Sequence, residues 1–209
     1  NENLMLETLN FKGLSKENNN YLSGALDDYN KVIELDPKHP LSYYNRGNIK
    51  YKQGDLEGAL DDYTKAIELN SEYNDAYNNR GVIKIDLNKL NEALEDFNKA
   101  IELDPEYGDA YNNRGITKKI IEDYEGALED YDKAIELGIE NYIIFHNRGL
   151  IKHKIEDYKG ALEDFNQSIK LNPDCKYSYR LRGIVKQELG DLKGANKDLH
   201  IYLELKNEI

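Results

Sequence analysis

A 34-residue segment recurs six times in this chain, in constant register. A glycine marks the same place in every copy, and an alanine follows twelve residues later. A fixed period of this length is typical of solenoid proteins, in which each unit cannot bury its own apolar face and stacks on its neighbours. The copies predict a single repeat domain over residues 1–209 and cover residues 6–39, 40–73, 74–107, 108–141, 142–175 and 176–209.

Each repeat is predicted to form two helices, at positions 2–14 and 18–30, where position 1 is the first residue of the copy. Pro37, Pro105 and Pro173 follow the second helices, because proline cannot continue a helix. Gly54 and Asn88 mark turns between the two helices of a repeat. The second helix of repeat two has the i, i+3, i+4 spacing of an amphipathic helix, at Leu56, Ala59, Leu60, Tyr63, Ala66, Ile67 and Leu69. The sequence thus predicts an all-α fold.

The glycine at position 8, such as Gly115, falls inside the first helix, where it costs about 1 kcal/mol relative to alanine. Six repetitions of that cost indicate a compensating contact. The simplest is a close approach of the two helices, in which the glycine meets the alanine of position 20. Aromatic side chains at positions 4 and 24 would fill the space beside it, which gives the abundant tyrosines a structural role.

The pattern of an aromatic at position 4, Gly at 8, Ala at 20, an aromatic at 24, Ala at 27 and Pro at 32 resembles the tetratricopeptide repeat (TPR) family. The resemblance implies a right-handed superhelical solenoid of antiparallel helix pairs, whose first helices line a concave groove. It also implies that a protein or peptide is bound there. Ser71 and Ile139 depart from the pattern at position 32, and Leu199 and Tyr202 depart from it in the last repeat.

Two charged positions also depart from the family. Position 7, normally a buried aliphatic residue there, is arginine in five repeats, at Arg46, Arg80, Arg114, Arg148 and Arg182. Position 23 is aspartate throughout, at Asp28, Asp62, Asp96, Asp130, Asp164 and Asp198. We expect a ladder of Arg–Asp pairs; the alternative is an arginine row that faces the groove and binds acidic ligands. The lysine at position 11, such as Lys50, is expected to pack its stem on the aromatics with its ammonium group in water.

Asparagines occupy groove positions of the first helix. They are Asn45, Asn79, Asn113 and Asn147 at position 6, with Asn78 and Asn112 at position 5. An asparagine amide both donates and accepts, so a row of them can hold an extended peptide by its backbone. The arrangement resembles the asparagine ladder of the repeats in O-linked N-acetylglucosamine transferase, whose catalytic domain is absent here. In the alternative interpretation, these asparagines solvate an inner face or pair with each other.

The other groove positions differ between repeats. Repeat two offers Tyr44, Asn48 and Tyr51, and repeat five offers His146; with the asparagines, these are the predicted peptide-binding residues. Tyr44 stands where family members that bind acidic chaperone C-termini have lysine, so that type of clamp is missing. Acidic residues in the middle of the groove, at Asp75, Asp86 and Asp109, would suit a basic residue of the peptide.

Composition excludes several classes of partner. The formal net charge of -12 and pI near 4.9 disfavour nucleic acid and anionic membrane surfaces. No apolar run is long enough to insert into a membrane. The single cysteine, Cys175, favours a reducing compartment, and we expect a cytoplasmic location. His146 and His153 are seven residues apart, too far to share one metal ion, and no catalytic motif is present. We therefore expect no enzymatic activity, metal or cofactor.

The leading hypothesis is a non-catalytic interaction scaffold that binds an extended peptide in the groove lined by the first helices. A second hypothesis is self-assembly into a homo-oligomer through uncapped terminal repeats. A third is that the chain is the repeat segment of a larger enzyme or envelope protein, which its start at Asn1 rather than methionine leaves open.

Overall fold

The computed structural model describes residues 2–19 and 21–207, and these ranges contain twelve α-helices and no β-strand. The predicted all-α fold is confirmed. Two compact units are present, Asn1–Ala110 and Tyr111–Ile209. The helices are α1 (Glu2–Asn18), α2 (Leu22–Leu35), α3 (Pro40–Lys52), α4 (Leu56–Leu69), α5 (Asn74–Asp86), α6 (Leu90–Leu103), α7 (Gly108–Ile120), α8 (Tyr124–Glu136), α9 (Tyr142–Lys154), α10 (Tyr158–Leu171), α11 (Lys176–Glu188) and α12 (Leu192–Asn207).

Helices that are consecutive in the chain pack together in both units. In the first unit α1 packs on α2, α3 on α4 and α5 on α6, and each pair also contacts the next. In the second unit α9 packs on α10 and α11 on α12. The position-24 aromatics form the centre of both cores, fully buried at Tyr29, Tyr63, Phe97, Tyr131 and Phe165. The predicted helix pairs and their bounds therefore hold to within one or two residues outside the terminal helices.

In repeats two to six, the turn between the two helices contains one residue in the left-handed region. Gly54 has φ +81° and Asn88 has φ +58°, as their residue types predict. Glu122 and Glu156 adopt the same conformation, with φ of 64° and 65°, although glutamate carries no signal for it. An aspartate one residue later accepts a hydrogen bond from the N–H of the new helix in several repeats, as Asp123 does from Gly126 at 3.1 Å. The aspartate cap follows a glycine turn at Gly54 and a glutamate turn at Glu122 alike, whereas repeat three has Lys89 at this place and no side-chain cap.

The position-8 glycine lies against the aromatic ring of position 24. A Cβ added to Gly81 would lie 2.7 Å from the Phe97 ring, and one added to Gly115 would lie 2.9 Å from Tyr131. The helices approach closely, as predicted, but the nearest atoms belong to the ring more often than to the alanine. At Gly115 an added Cβ would meet both residues, because it would also lie 3.3 Å from the carbonyl oxygen of Ala127.

In repeats two to six, the position-23 aspartate binds the position-7 arginine of its own repeat through two parallel hydrogen bonds. Asp62 accepts from Arg46 Nε at 2.8 Å and from Nη2 at 2.6 Å. The same fork joins the other four Arg–Asp pairs, Arg80–Asp96, Arg114–Asp130, Arg148–Asp164 and Arg182–Asp198. The aspartates are almost completely buried, so the arginines form the predicted ladder rather than a row of free cations facing the groove.

The prediction for the position-11 lysines was wrong. Lys50 does not extend its ammonium group into water; it contacts Asp62 Oδ2 at 2.8 Å, and Lys84, Lys118, Lys152 and Lys186 contact their aspartates at 2.8–2.9 Å. An aspartate buried with one arginine keeps an oxygen lone pair that a second cation can use, and lysine lies one helical turn after the arginine. In each of repeats two to six, one carboxylate therefore holds two cations.

The third nitrogen of the arginine reaches the preceding repeat. Arg46 Nη1 donates to Asn30 at 2.8 Å, and Arg80 Nη1 donates to Thr64 at 3.3 Å. In the second unit the acceptors for Arg148 and Arg182 are Asp132 and Asn166. In these four contacts the acceptor lies at position 25 of the preceding repeat, so the charge cluster of one repeat is tied to the neighbouring one.

Replacing Gly81 by alanine should destabilise the protein. The added methyl group overpacks the buried Phe97 ring at a cost of about 1–3 kcal/mol, which exceeds the gain of up to about 1 kcal/mol in helix propensity. Urea unfolding should show a loss, and the loss should shrink when Phe97 is also changed to leucine, the residue that faces Gly183 at Leu199. Gly81→Ala as stable as the parent protein would contradict this packing.

The Asp198 carboxylate should make stability depend on acid pH. Burial opposes its ionisation, but hydrogen bonds from Arg182 and Lys186 outweigh burial and lower the pKa of Asp198. Because the folded-state pKa lies below the unfolded value of about 3.9, the stabilisation is complete above that value and disappears as pH falls through the folded value. Asp198→Asn should cost about 1–3 kcal/mol at neutral pH and nothing at the acid end of a urea-unfolding series. A constant difference at all pH values would contradict the assignment.

Candidate functional site

Three of the predicted peptide-binding residues meet at one cavity in the first unit. Asn48 and Tyr51 on α3 and Asn79 on α5 border a space of about 270 Å³, which we call the N-terminal cavity. Its full lining is Glu17, Asn48, Tyr51, Lys52, Tyr63, Asn79 and Val82. The repeat geometry produces it, because groove positions of successive first helices come side by side.

Asn48 is the polar centre of the N-terminal cavity. Its Oδ1 atom accepts hydrogen bonds from the Tyr63 hydroxyl at 2.6 Å and from Asn79 Nδ2 at 3.1 Å. Asn79 Nδ2 also lies 3.2 Å from the Tyr44 hydroxyl. Burial is the main cause that raises the pKa of Tyr63, so this phenol is a neutral donor. These contacts fix the amide orientations at the cavity wall.

The rim of the N-terminal cavity is charged. Lys52 Nζ pairs with Glu17 Oε1 at 2.7 Å; the lysine side chain is 52% exposed and the glutamate 12%. Tyr51 donates to Asp86 at 3.2 Å, and burial followed by the Asp86 charge raises the pKa of its hydroxyl. Sequence reasoning missed Glu17, and its place at position 12, a groove position, was the available signal.

Two of the three acidic residues expected to attract a basic side chain already have partners in the structure. Asp86 accepts from Tyr51, and Asp75 accepts from the Tyr107 hydroxyl at 2.8 Å. Tyr44, another predicted ligand, packs on the Tyr73 ring at a centroid distance of 4.9 Å. This part of the predicted groove is therefore aromatic as well as acidic. Its preference for a basic residue of the peptide stays a prediction.

Other predicted asparagines of the first unit are buried. Asn45 is 4% exposed and its Nδ2 lies 3.5 Å from Asn10 Oδ1. Asn78 is 6% exposed and donates to Asn79 Oδ1 at 3.2 Å. These contacts correspond to the interpretation in which asparagines pair with each other, so Asn48 and Asn79 are the amides of this unit that border open space.

In the second unit, Asn112 Nδ2 lies 3.5 Å from Asn113 Oδ1, which repeats the pairing of the first unit. Asn147 is 8% exposed, and its Oδ1 accepts from Lys119 Nζ at 2.7 Å. His146 Nδ1 lies 2.8 Å from the Ser178 hydroxyl. Burial, and secondarily the Lys119 charge, lowers the pKa of His146, which favours the neutral imidazole.

A second cavity lies beside Lys119. It measures about 170 Å³, is called here the Lys119 cavity, and is lined by Lys119, Tyr124, Leu150, Ile151 and Lys154. Lys154 Nζ stands 5.2 Å from the centre of the Tyr124 ring. Sequence reasoning did not single out Lys119. The available signal was position 12, where a lysine occurs in repeat four alone.

Two features of the described residues bear on metal binding and membrane insertion. Over residues 2–19 and 21–207, no three or more His, Cys, Asp or Glu side chains gather as they would around a metal ion. None of the helices in those ranges combines the length and apolar character needed to cross a membrane.

Comparison with known families identifies the repeats. The fold and its inner-face cavities are those of a helical-repeat binding protein. Tetratricopeptide repeat families match residues 40–73 and 75–107, residues 97–129 and residues 142–175, and a family described as TPR repeat matches residues 19–54. The chain belongs to the tetratricopeptide repeat family. None of the curated proteins compared with it matches significantly.

Solved structures share the fold. PilF of Pseudomonas aeruginosa is 17% identical with a TM-score of 0.86, and the match covers 100% of this chain and 99% of that one. YrrB, described as a TPR protein with an unusual peptide-binding site, is 24% identical with a TM-score of 0.72 and coverage of 85% and 91%. MamA is 23% identical, with a TM-score of 0.71 and coverage of 78% and 95%. TPR proteins bind protein or peptide partners, and the chain has this kind of scaffold.

Replacing Tyr131 by phenylalanine should not destabilise the protein. Its hydroxyl is buried, and no group among the described residues forms a hydrogen bond with it, because Ile116 stands where repeat two has Asn48. Tyr131→Phe should leave the free energy of unfolding unchanged or raise it by up to about 1 kcal/mol, whereas Tyr63→Phe should lower it by about 1 kcal/mol. Urea unfolding of both variants measures this, and a larger loss for Tyr131→Phe than for Tyr63→Phe would refute it.

Proposed function

We propose that the protein is an interaction scaffold that binds an extended peptide segment on the inner faces of its first helices, with the N-terminal cavity as a main contact. One observation carries the proposal: Asn48, Asn79 and Tyr51, selected from the sequence as peptide ligands, together border a cavity of about 270 Å³. Ligand sites of proteins are concave and carry a few placed polar groups.

The asparagines suit a peptide backbone. Asn79 contacts Tyr44, Asn48 and Asn78 in the free protein. A bound segment would exchange side-chain contacts for its own N–H and C=O groups, so no buried amide would lose all its partners. Such contacts select an extended conformation rather than a particular sequence.

Tyrosine and lysine at the rim supply contact area. Tyr51 is 38% exposed, and Lys52 is 52% exposed at its side chain. Tyrosine contributes a large apolar surface and a hydroxyl, and aromatic residues are frequent at the centre of binding interfaces. YrrB, with a described peptide-binding site, shares the fold at 24% identity, which supports the class of ligand but assigns no residue here.

The second unit is proposed to continue the same mode of binding. Asn112, Asn113, Asn147 and His146 stay predicted ligands there. Self-association through the terminal repeats and the cytoplasmic location also stay predictions. Apolar side chains are exposed on the first and last helices, as at Phe11 and Leu203, which is where self-association would occur.

The test is peptide binding by a matched pair of asparagine variants. An array of unbiased short peptides selects a binder, which is then labelled with fluorescein and titrated by anisotropy. Asn79→Ala should raise the dissociation constant about tenfold, as expected for the loss of one or two hydrogen bonds. Asn91→Ala, at an exposed position of α6, removes the same group away from the cavity and should bind like the parent protein.

Two results would count against the proposal. The first is equal affinity of the parent protein and Asn79→Ala, with both folded by circular dichroism, since the cavity would then take no part. The second is the failure of every peptide on the array to bind the parent protein.

A further inference from the structure

Lys119 differs from four other lysines of the second unit. Lys118, Lys133, Lys152 and Lys186 each lie within 3.1 Å of a carboxylate oxygen. Within residues 111–207, no carboxylate forms an ion pair with Lys119; its ammonium group donates to the neutral amide oxygen of Asn147. A partly buried cation without a counter-ion is costly, so its retention calls for a reason.

The electrostatics around Lys119 show an excess of positive charge. Burial lowers the pKa of the Lys119 ammonium group. Burial also lowers the pKa of His146, and the nearby Lys119 charge lowers it further. Both shifts have the direction expected when no anion compensates the site.

The Lys119 cavity provides room for an anion. Lys119 lines its wall, and Lys154 stands over Tyr124 on the same cavity. Lys154 has one nearby carboxylate, Glu122, at 3.7 Å; the two side chains are 60% and 72% exposed, and such a pair contributes little. Two ammonium groups thus border the Lys119 cavity, and none of the residues that line it carries a carboxylate.

Polar donors accompany the two lysines. The side-chain oxygen of Asn147 accepts the hydrogen bond from Lys119, so the NH₂ group of the same amide can donate to a ligand. Tyr131 has a buried hydroxyl without a partner among the described residues, and it packs in the same cluster as Ile151 of the cavity wall. Tyr131 occupies the register position of Tyr63, which lines the N-terminal cavity.

We propose that Lys119, Lys154 and the Asn147 amide form a subsite for one Asp or Glu side chain of the bound segment. The inference rests on the proposed function, because the segment must lie on the inner face. A carboxylate there would accept charge-assisted hydrogen bonds from Lys119, and Lys154 would close the mouth of the cavity. With this subsite, the second unit selects bound segments that carry an acidic residue at the matching place.

A single acidic residue fits better than a run of them. The protein carries a net charge of -12, which repels polyanions. The arginine ladder offers no further free cations, because every position-7 arginine of the second unit is engaged with an aspartate. A segment that passes through the subsite presents a side chain there rather than its C-terminus.

The test uses four pools of fluorescein-labelled peptides with random uncharged flanks. Three pools have amidated C-termini and a central Glu, Gln or Lys, and the fourth has a central Gln with a free C-terminal carboxylate. Each pool is titrated by anisotropy with the parent protein, Lys119→Met, Lys119→Arg and Lys133→Met. Lys133→Met is the matched control, because it removes the same charge from an exposed pair with Glu136.

The parent protein should bind the Glu pool about tenfold more tightly than the Gln pool, as one charge-assisted hydrogen bond predicts. Lys119→Met should lose this preference, whereas Lys119→Arg and Lys133→Met should keep it. The preference should also weaken as salt is added.

Several outcomes would overturn the subsite while leaving the proposed function intact. They are equal binding of all pools, a Glu preference that survives in Lys119→Met or disappears in Lys119→Arg, and tightest binding of the pool with the free C-terminus. Binding of no pool by the parent protein would instead overturn both the subsite and the proposed function.

Discussion

A buried aspartate shared by an arginine and a lysine recurs in the second to sixth repeats, and the packing of each helix pair is built around it. The carboxylate of Asp62 joins Arg46 and Lys50 of the first helix to the second helix, and the arginine also covers the Tyr43 ring. Buried ion pairs add little net stability, but removing one partner leaves uncompensated charge. The pairing therefore favours one helix register over its alternatives.

This arrangement also determines what the inner face can do. The arginines and the position-11 lysines of repeats two to six are neutralised internally. We therefore propose that asparagines, tyrosines and the few unpaired charges make the ligand contacts. Asn48 and Asn79 form the cavity of the first unit, and Lys119 stands out in the second because it is outside the ion-pair ladder. The framework is repetitive, whereas the proposed binding surface differs from repeat to repeat.

Structural features that recur from repeat to repeat could be predicted from the sequence, whereas features that occur in one repeat mostly could not. The helix pairs, the glycine contact and the Arg–Asp pairs each had several copies to support them. Lys119 and Glu17 occur at a position whose residue changes in every repeat, so no pattern marked them. The burial of Asn45 depends on contact with another first helix and could not be read from spacing. The position-11 lysines were predicted to place their ammonium groups in water, because a charged group usually prefers solvent. The prediction failed because a buried carboxylate is a stronger partner for the ammonium group than water.

The arginine contacts to the preceding repeat have a further consequence. Asn30, Thr64, Asp132 and Asn166 all serve as the acceptor at position 25, so three residue types satisfy the same junction. A junction that accepts different side chains allows a repeat to be duplicated, deleted or exchanged without redesign of its neighbour. The number of repeats, and with it the length of the peptide that we propose is bound, can change in evolution independently of which residues contact that peptide.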